Sequence, residues 1–399
     1  MTAAKILTDP VVITGTGIIS ALGSSGEESL EALSKGGAAP SAPGLPGCSI
    51  TKPVFSARLP AGQETRKNRT LALAEHAFLQ AAAEAGLHHG FPERTGICTG
   101  TTVACQLNDI DFYSSYRNGT VESWDPIHRY LAGNPAEALK QTYGLKGPAI
   151  TVVNACSSAT DAVGTAMAWL GTGRCDAVIA GGADELNRVP LAGFNSLGIL
   201  SDSPCRPFDA DRDGLNLGEG AGFLVLETLS AAKARGARPI AECSAYATAS
   251  DAYHLTSPRP DGLGLETAVT KALNRAGISK DRIDFINAHG TGTRTNDRTE
   301  GRVFEKLFSN KAKIYSTKGY TGHTLGAAGA IEAVLSVLSL QRQWLPESRG
   351  YTRFDESVRI RPLENEQPVH AEYAMSTSLA FGGMNSVLIF RSMNSEDNR

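Results

Sequence analysis

Cys156 is the first residue in this 399-residue chain whose setting suggests chemistry. It stands in Val152-Val153-Asn154-Ala155-Cys156-Ser157-Ser158-Ala159, where a β-branched run gives way to a helical pattern. Unpaired amides at a helix start favour a thiolate, so a lowered pKa is expected there. The small neighbours leave room for a carbonyl to approach the sulfur. A lone cysteine is ordinarily a small buried hydrophobe, and only the setting argues otherwise. His289 follows another apolar run, in Asn287-Ala288-His289-Gly290-Thr291-Gly292-Thr293, with hydroxyls alternating with glycines. Lys318 and His323 lie in Lys318-Gly319-Tyr320-Thr321-Gly322-His323, ahead of a small-residue helical pattern that carries Glu332. An imidazole near a helix start tends to stay neutral, and a neutral ring can donate a hydrogen bond to a developing oxyanion. Glu332 in an apolar pattern needs a partner, and Lys318 is the natural one. Phe381 precedes Gly382-Gly383-Met384-Asn385, where an aromatic and two glycines can offer a backbone N–H and a side chain that swings.

Such residues must be held by strands and helices. Short β-branched runs predict strands at 11–14, 150–153, 177–180, 223–226, 284–287 and 386–390, alternating with helical patterns at 69–85, 159–170, 265–276 and 327–340. The alternation reads as α/β. In the second helix Ala159, Ala162, Val163, Ala166 and Leu170 recur at helix spacing, which predicts one buried stripe. A coarse duplication is visible. Strand 150–153, Cys156 and helix 159–170 are echoed by strand 314–316, His323 and helix 327–340, with the halves joined near 229–238. Near the start, Gly15-Thr16-Gly17-Ile18-Ile19-Ser20 imitates a dinucleotide-binding turn, but the sixth position is Ser and no well-placed ribose-binding acid follows. A tight turn after the first strand is the reading, without a nicotinamide.

Composition narrows the class. Hydrophobic residues at 41% and charged residues at 20% suit a globular chain of two or three units at roughly 150 residues each. A net charge of −3 argues against a nucleic-acid binder. Seven scattered cysteines without a Cys-x-x-Cys pair indicate neither a disulfide framework nor a zinc site, and point to the cytoplasm. The run 327–340 is too short for a membrane span, which takes about 20 apolar residues. Residues 394–399 form a polar tail.

The ordered set of motifs is more specific than any member. Cysteine at a helix start, His-Gly-Thr-Gly-Thr, Lys-x4-His and Phe-Gly-Gly-x-Asn resemble the β-ketoacyl-acyl-carrier-protein synthases, the elongating condensing enzymes of fatty-acid and type II polyketide synthesis. The likeness runs from Val11-Val12-Ile13-Thr14-Gly15 through Pro207-Phe208-Asp209 and Gly218-Glu219-Gly220-Ala221-Gly222 to Asn385.

The resemblance implies a thiolase fold, two similar halves in five layers, with 1–235 carrying the nucleophile and 236–393 the histidines and lysine. It implies that Cys156 takes an acyl chain from the phosphopantetheine of an acyl carrier protein. His289 and His323 would favour decarboxylation of a malonyl thioester. The N–H groups of Cys156 and Phe381 would form the oxyanion hole, and Phe381 the gate. Lys318, paired with Glu332, would orient the site, and Thr291 and Thr293 would hold the pantetheine arm. No metal or cofactor is implied. A homodimer is expected, or a heterodimer with a chain-length-determining homologue, and neither nucleic acid nor membrane. Arg66, Lys67, Arg69 and Arg206 match docking positions for an acidic carrier protein.

Some positions depart from the fatty-acid pattern. Asn154 stands where Thr is common and Ala380 where Gly is common, while Gln106 and Asn108 are polar where an acyl pocket is often apolar. Amides beside an alkyl chain are unfavourable without partners. A polyene or polyketide chain is therefore the expected product, with Asn108 in the substrate pocket. A degradative thiolase needs a further C-terminal cysteine, and none follows Cys243. An initiating enzyme would use Cys-His-Asn. A non-catalytic chain-length partner is the remaining alternative, although such partners usually lack the cysteine.

Overall fold

The apolar runs pair into one sheet whose strands come in two matching sets. The computed structural model describes residues 9–45, 47–63, 68–102, 110–132, 134–309 and 311–393. Its first-half strands are β1 (Val11–Ile19), β2 (Thr95–Gly100), β3 (Ala149–Val152), β4 (Ala177–Asp184) and β5 (Gly220–Thr228). Then come β6 (Ala241–Ser250), β7 (Ile283–Asn287), β8 (Lys313–Tyr315), a short ribbon β9 (Trp344–Leu345) and β10 (Gln367–Pro368), β11 (Tyr373–Ala380) and β12 (Met384–Ser392). The helices are α1 (Gly26–Ser34), α2 (Arg69–Glu84), α3 (Ile110–Arg117), α4 (Asp125–Ala132), α5 (Pro135–Tyr143), α6 (Ser158–Gly171), α7 (Arg188–Ser196) and α8 (Leu229–Ala234). The second half adds α9 (Leu263–Ala276), α10 (Arg294–Phe308), α11 (Lys318–Thr321) and α12 (Ala328–Arg342).

Ten strands lie in the order β3-β2-β4-β5-β1-β6-β12-β11-β7-β8. Counted from the outer edge inward, each set of five runs third, second, fourth, fifth, first within its own half, leaving the ribbon aside. Strand senses repeat as well. β2 is parallel to β3 and β4, as β7 is to β8 and β11. The β4–β5 and β5–β1 pairs are antiparallel, as are β11–β12 and β12–β6. The duplication read from the sequence is thus present in the topology. The sets join through Ile13↔Ala241 and Val12↔Glu242.

α6 and α12 pack on each other, and each touches strands of both sets. α2 covers the outer face of the first set, and α9 that of the second, giving helix, sheet, helix, sheet, helix. With sheet on two sides, the central helices are buried all round: residues 158–164 of α6 and 328–337 of α12 are buried without a break. The single stripe expected for α6 is therefore too narrow, because the second half covers its other side.

One expectation is corrected at the first strand. Gly15-Thr16-Gly17 is no turn; β1 continues to Ile19, with a bulge between Ile13 and Gly15. A Cβ on Gly15 would lie 2.2 Å from the Ala81 carbonyl oxygen, and one on Gly17 1.9 Å from that of Ala77. These glycines let α2 rest directly on the strand backbone, which is a packing role.

Candidate active site

The halves each deliver a turn to the centre of the molecule. In the first, β3 ends at Val152 and α6 starts at Ser158, leaving Cys156 in the connection. Ala155 has φ +47°, a left-handed conformation that a residue with a Cβ disfavours. Local bonds hold it. Asn154 N–H donates to Ser158 Oγ at 2.8 Å, and that hydroxyl donates to the Ala155 carbonyl at 2.6 Å. The backbone N–H of Phe381 faces the Cys156 sulfur and favours its thiolate. Burial pushes the thiol up to about 11, against the opposing pull of the Lys318 charge and the Phe381 N–H. The lowered pKa expected from the helix start is thus overturned in the closed site, because desolvation disfavours the thiolate more than these groups favour it.

The second half supplies the imidazoles. His289 follows β7, and its N–H donates to Glu300 Oε1 at 2.9 Å and Thr377 Oγ1 at 3.1 Å. Lys318 Nζ pairs with Glu332, both fully buried, and lies 3.2 Å from His289 Nδ1. Burial pushes Glu332 up to about 7 while Lys318 opposes the shift. His323 Nδ1 accepts the N–H of Leu325 at 3.1 Å. With each Nδ1 used as an acceptor, the ring proton belongs on Nε2 in both histidines. The rings stand edge to face, centroids 5.1 Å apart. Burial first, then the Lys318 charge, holds both well below the ordinary 6.5, and His323 adds to this at His289. Both rings are neutral donors.

Cys156, His289 and His323 line one cavity with Thr291, Thr293 and Phe381. The two threonine hydroxyls are 2.8 Å apart. The cavity is ≈ 70 Å³, which at roughly 10–15 Å³ per water holds a few waters and no long chain. Phe381 is stacked on Phe194, centroids 5.4 Å apart and planes 17° from parallel. Phe194 also meets the His323 ring edge-on at 6.3 Å.

Sequence reasoning missed several contributors. Phe194 reads as an ordinary helix residue, and only its stack on Phe381 brings it to the cavity. Glu300 accepts the N–H of Gly290 at 2.6 Å besides that of His289, and burial pushes it up to about 7. Asp184 ties the first half to the second. It accepts Thr101 Oγ1 at 2.7 Å and the Gly326 N–H at 2.7 Å, and burial pushes it up to about 6. A polar residue inside an apolar pattern was the available signal, as with Glu332.

Among the docking candidates, Arg206 is partly exposed beside the His289 loop; a Cβ on Gly292 would sit 3.4 Å from its backbone nitrogen. Arg69 is corrected. Its Nε lies 2.8 Å from Oε2 of buried Glu219 and its Nη2 2.8 Å from the Ala57 carbonyl, so the guanidinium ties α2 to β5's leading turn. Arg66, Lys67, Gln106 and Asn108 lie outside the described residues. Among the described residues no group of histidine, cysteine and carboxylate side chains could hold a metal, and no helix is long and apolar enough to cross a membrane.

Residues 8–232 match the description "Beta-ketoacyl synthase, N-terminal domain" and residues 240–352 "Beta-ketoacyl synthase, C-terminal domain". The chain belongs to the β-ketoacyl synthase family. Over 258 residues, 62% of this chain, it is 40% identical to 3-oxoacyl-[acyl-carrier-protein] synthase 2 of Staphylococcus aureus, spanning 64% of that relative's length. It is 35% identical to the mitochondrial 3-oxoacyl-[acyl-carrier-protein] synthase of Arabidopsis thaliana, over 75% of this chain and 69% of that one. Among solved structures, the ishigamide ketosynthase/chain length factor superposes with a TM-score of 0.88 at 30% identity, covering 97% of this chain and all of the other. The β-ketoacyl synthase layering described above is the thiolase fold.

Proposed function

We propose that the chain catalyses decarboxylative Claisen condensation, as an elongating β-ketoacyl-acyl-carrier-protein synthase. The observation that carries this reading is the single cavity shared by Cys156 and two neutral imidazoles. The first half, residues 1–235, supplies the sulfur; the second, 236–393, supplies the imidazoles.

Cys156 attacks an acyl thioester, and the carrier's phosphopantetheine thiolate leaves. With its thiol protonated at rest, the sulfur gives up its proton as the substrate enters, and the departing phosphopantetheine thiolate takes that proton up and leaves as the thiol. Malonyl carrier then loses CO2, and the bond electrons form an enolate whose oxygen receives N–H bonds from His289 and His323. Negative charge develops there, so two uncharged donors in a buried site stabilise it without any proton leaving them. The enolate carbon attacks the acyl carbonyl. The resulting oxyanion faces the N–H groups of Cys156 and Phe381, and collapse expels the Cys156 thiolate, which regains a proton from water, and releases β-ketoacyl carrier. Lys318 keeps His289 Nδ1 occupied, while Thr291 and Thr293 offer hydroxyls to the pantetheine arm. No step needs a metal or redox group.

The partners are an acyl carrier protein, engaging Arg206 and the Arg66–Lys67 segment, and a second ketosynthase-like chain, identical or homologous. The departures at Asn154, Ala380, Gln106 and Asn108 favour a polyene or polyketide chain over a long saturated one. The described cysteines are free, which suits a reducing cytoplasm. The test is intact-mass analysis after incubation with a panel of acyl carrier proteins, followed by peptide mapping. An acyl adduct on Cys156 that malonyl carrier converts to β-ketoacyl product is expected. An intact Cys156 that no acyl thioester modifies, with or without a co-purified partner chain, would overturn the proposal in favour of a non-catalytic chain-length subunit.

A further inference from the structure

Asp161 is a buried carboxylate that the chemistry above leaves unused. It sits in the first turn of α6, five residues beyond the nucleophile, and is 7% exposed. Among the described residues no cation pairs with it. Its neighbours are neutral donors from two directions. Asn154 Nδ2 lies 2.5 Å and Ser157 Oγ 2.9 Å from Oδ2. Tyr246 Oη lies 2.9 Å and Ser386 Oγ 2.5 Å from Oδ1. The first two flank Cys156 on either side. The second two belong to β6 and β12, in the other half of the molecule. Tyr246 is held in place from below: a Cβ on Gly164 of α6 would fall 2.3 Å from its ring.

We propose that Asp161 positions the nucleophile, one oxygen clamping both ends of the strained Asn154–Ser157 turn and the other anchoring that clamp to β6 and β12. The turn needs such a clamp. Ala155 is held at φ +47°, a conformation that persists only where surroundings over-determine it. β12 begins three residues after Phe381, so the same carboxylate fixes the sulfur relative to the β11–β12 turn that carries the Phe381 N–H. With the clamp loosened, Ala155 relaxes toward negative φ and the sulfur leaves its place between that N–H and the imidazoles. This inference rests on the catalytic reading of Cys156, and Asp161 acts only through it.

The experiment has two readouts. One is the rate of Cys156 acylation from acyl carrier protein. The other is the rate of Cys156 alkylation by iodoacetamide, read by peptide mapping, which needs no catalysis. If wild-type protein alkylates but never acylates, the catalytic reading fails, and the alkylation arm still decides the positioning role. Asp161→Asn keeps the volume but turns an NH2 toward donors. It is expected to lower the acylation kcat about tenfold or more with the carrier KM unchanged, because misplacement by about 1 Å costs that much or more. Its alkylation rate at fixed pH is expected to change at least threefold. A merely structural role would shift the melting temperature and neither rate. Asn154→Ala removes one arm of the clamp and covers the case in which Asp161→Asn does not fold. Wild-type kcat and alkylation rate in a folded Asp161→Asn, or in Asn154→Ala, would overturn the proposal.

Discussion

The connection from β3 to α6 and that from β8 to α12 occupy the same slot in the two repeats, yet they solve the same electrostatic problem differently. Each central helix carries a buried acid in its first turns, Asp161 in one and Glu332 in the other. Asp161 is met by four neutral donors, and Glu332 by the ammonium of Lys318. The first arrangement shapes a short, strained turn that presents a sulfur. The second buries two imidazoles beside a fixed charge, and burial first, then that charge, keeps them unprotonated. The repeated fold thus leaves room for one half to hold its cysteine turn by neutral hydrogen bonds while the other buries its imidazoles beside an ion pair.

That contrast sets the largest expected effect. Glu332→Leu strands the Lys318 charge in the interior and should cost about 3–5 kcal/mol in urea unfolding. Asp161→Asn leaves only neutral groups imperfectly paired and should cost about 1–3 kcal/mol. A larger loss at Asp161 than at Glu332 would break the comparison.

Acidification tests the field. The histidines are depressed in the folded chain, so the stability they contribute is present above about 6.5 and lost as pH falls below it. Glu300 and Glu332, pushed up to about 7, act in the opposite sense over the same range, since they favour the folded chain as they take up protons. The informative quantity is therefore a difference between variants. His323→Gln should make the slope of unfolding free energy between pH 6.5 and 5 less acid-sensitive by up to about 1.4 kcal/mol per pH unit. Equal slopes in wild type and variant would show that Lys318 and burial do not hold this ring neutral. The smallest effect is expected at the rim. Arg206→Glu should raise the carrier KM roughly three- to tenfold and leave kcat unchanged, because rim charges act mainly on encounter.

Legibility followed how local the physics is. Cys156, His289, Lys318 and His323 stood out because their types are rare in turns of small residues, and the order of the turns is itself informative. Gly15 and Gly17 misled because a glycine that avoids a helix looks the same in sequence as one that bends a chain. The inward bonds of Arg69 were hidden for a similar reason. Its partner Glu219 is 150 positions away, so the sequence shows the charge and not the bond. Asp161 was hidden because an acid in the first turn of a helix is usually solvated, and its donors Tyr246 and Ser386 come from the other half. Phe194 was invisible for the same reason, since stacking is a fact of the third dimension.

The closed cavity has a consequence beyond turnover. Peroxide and disulfide exchange act on thiolates that they can reach, and here burial pushes the Cys156 thiol up to about 11. A buried, protonated sulfur is the form that such oxidants attack slowly.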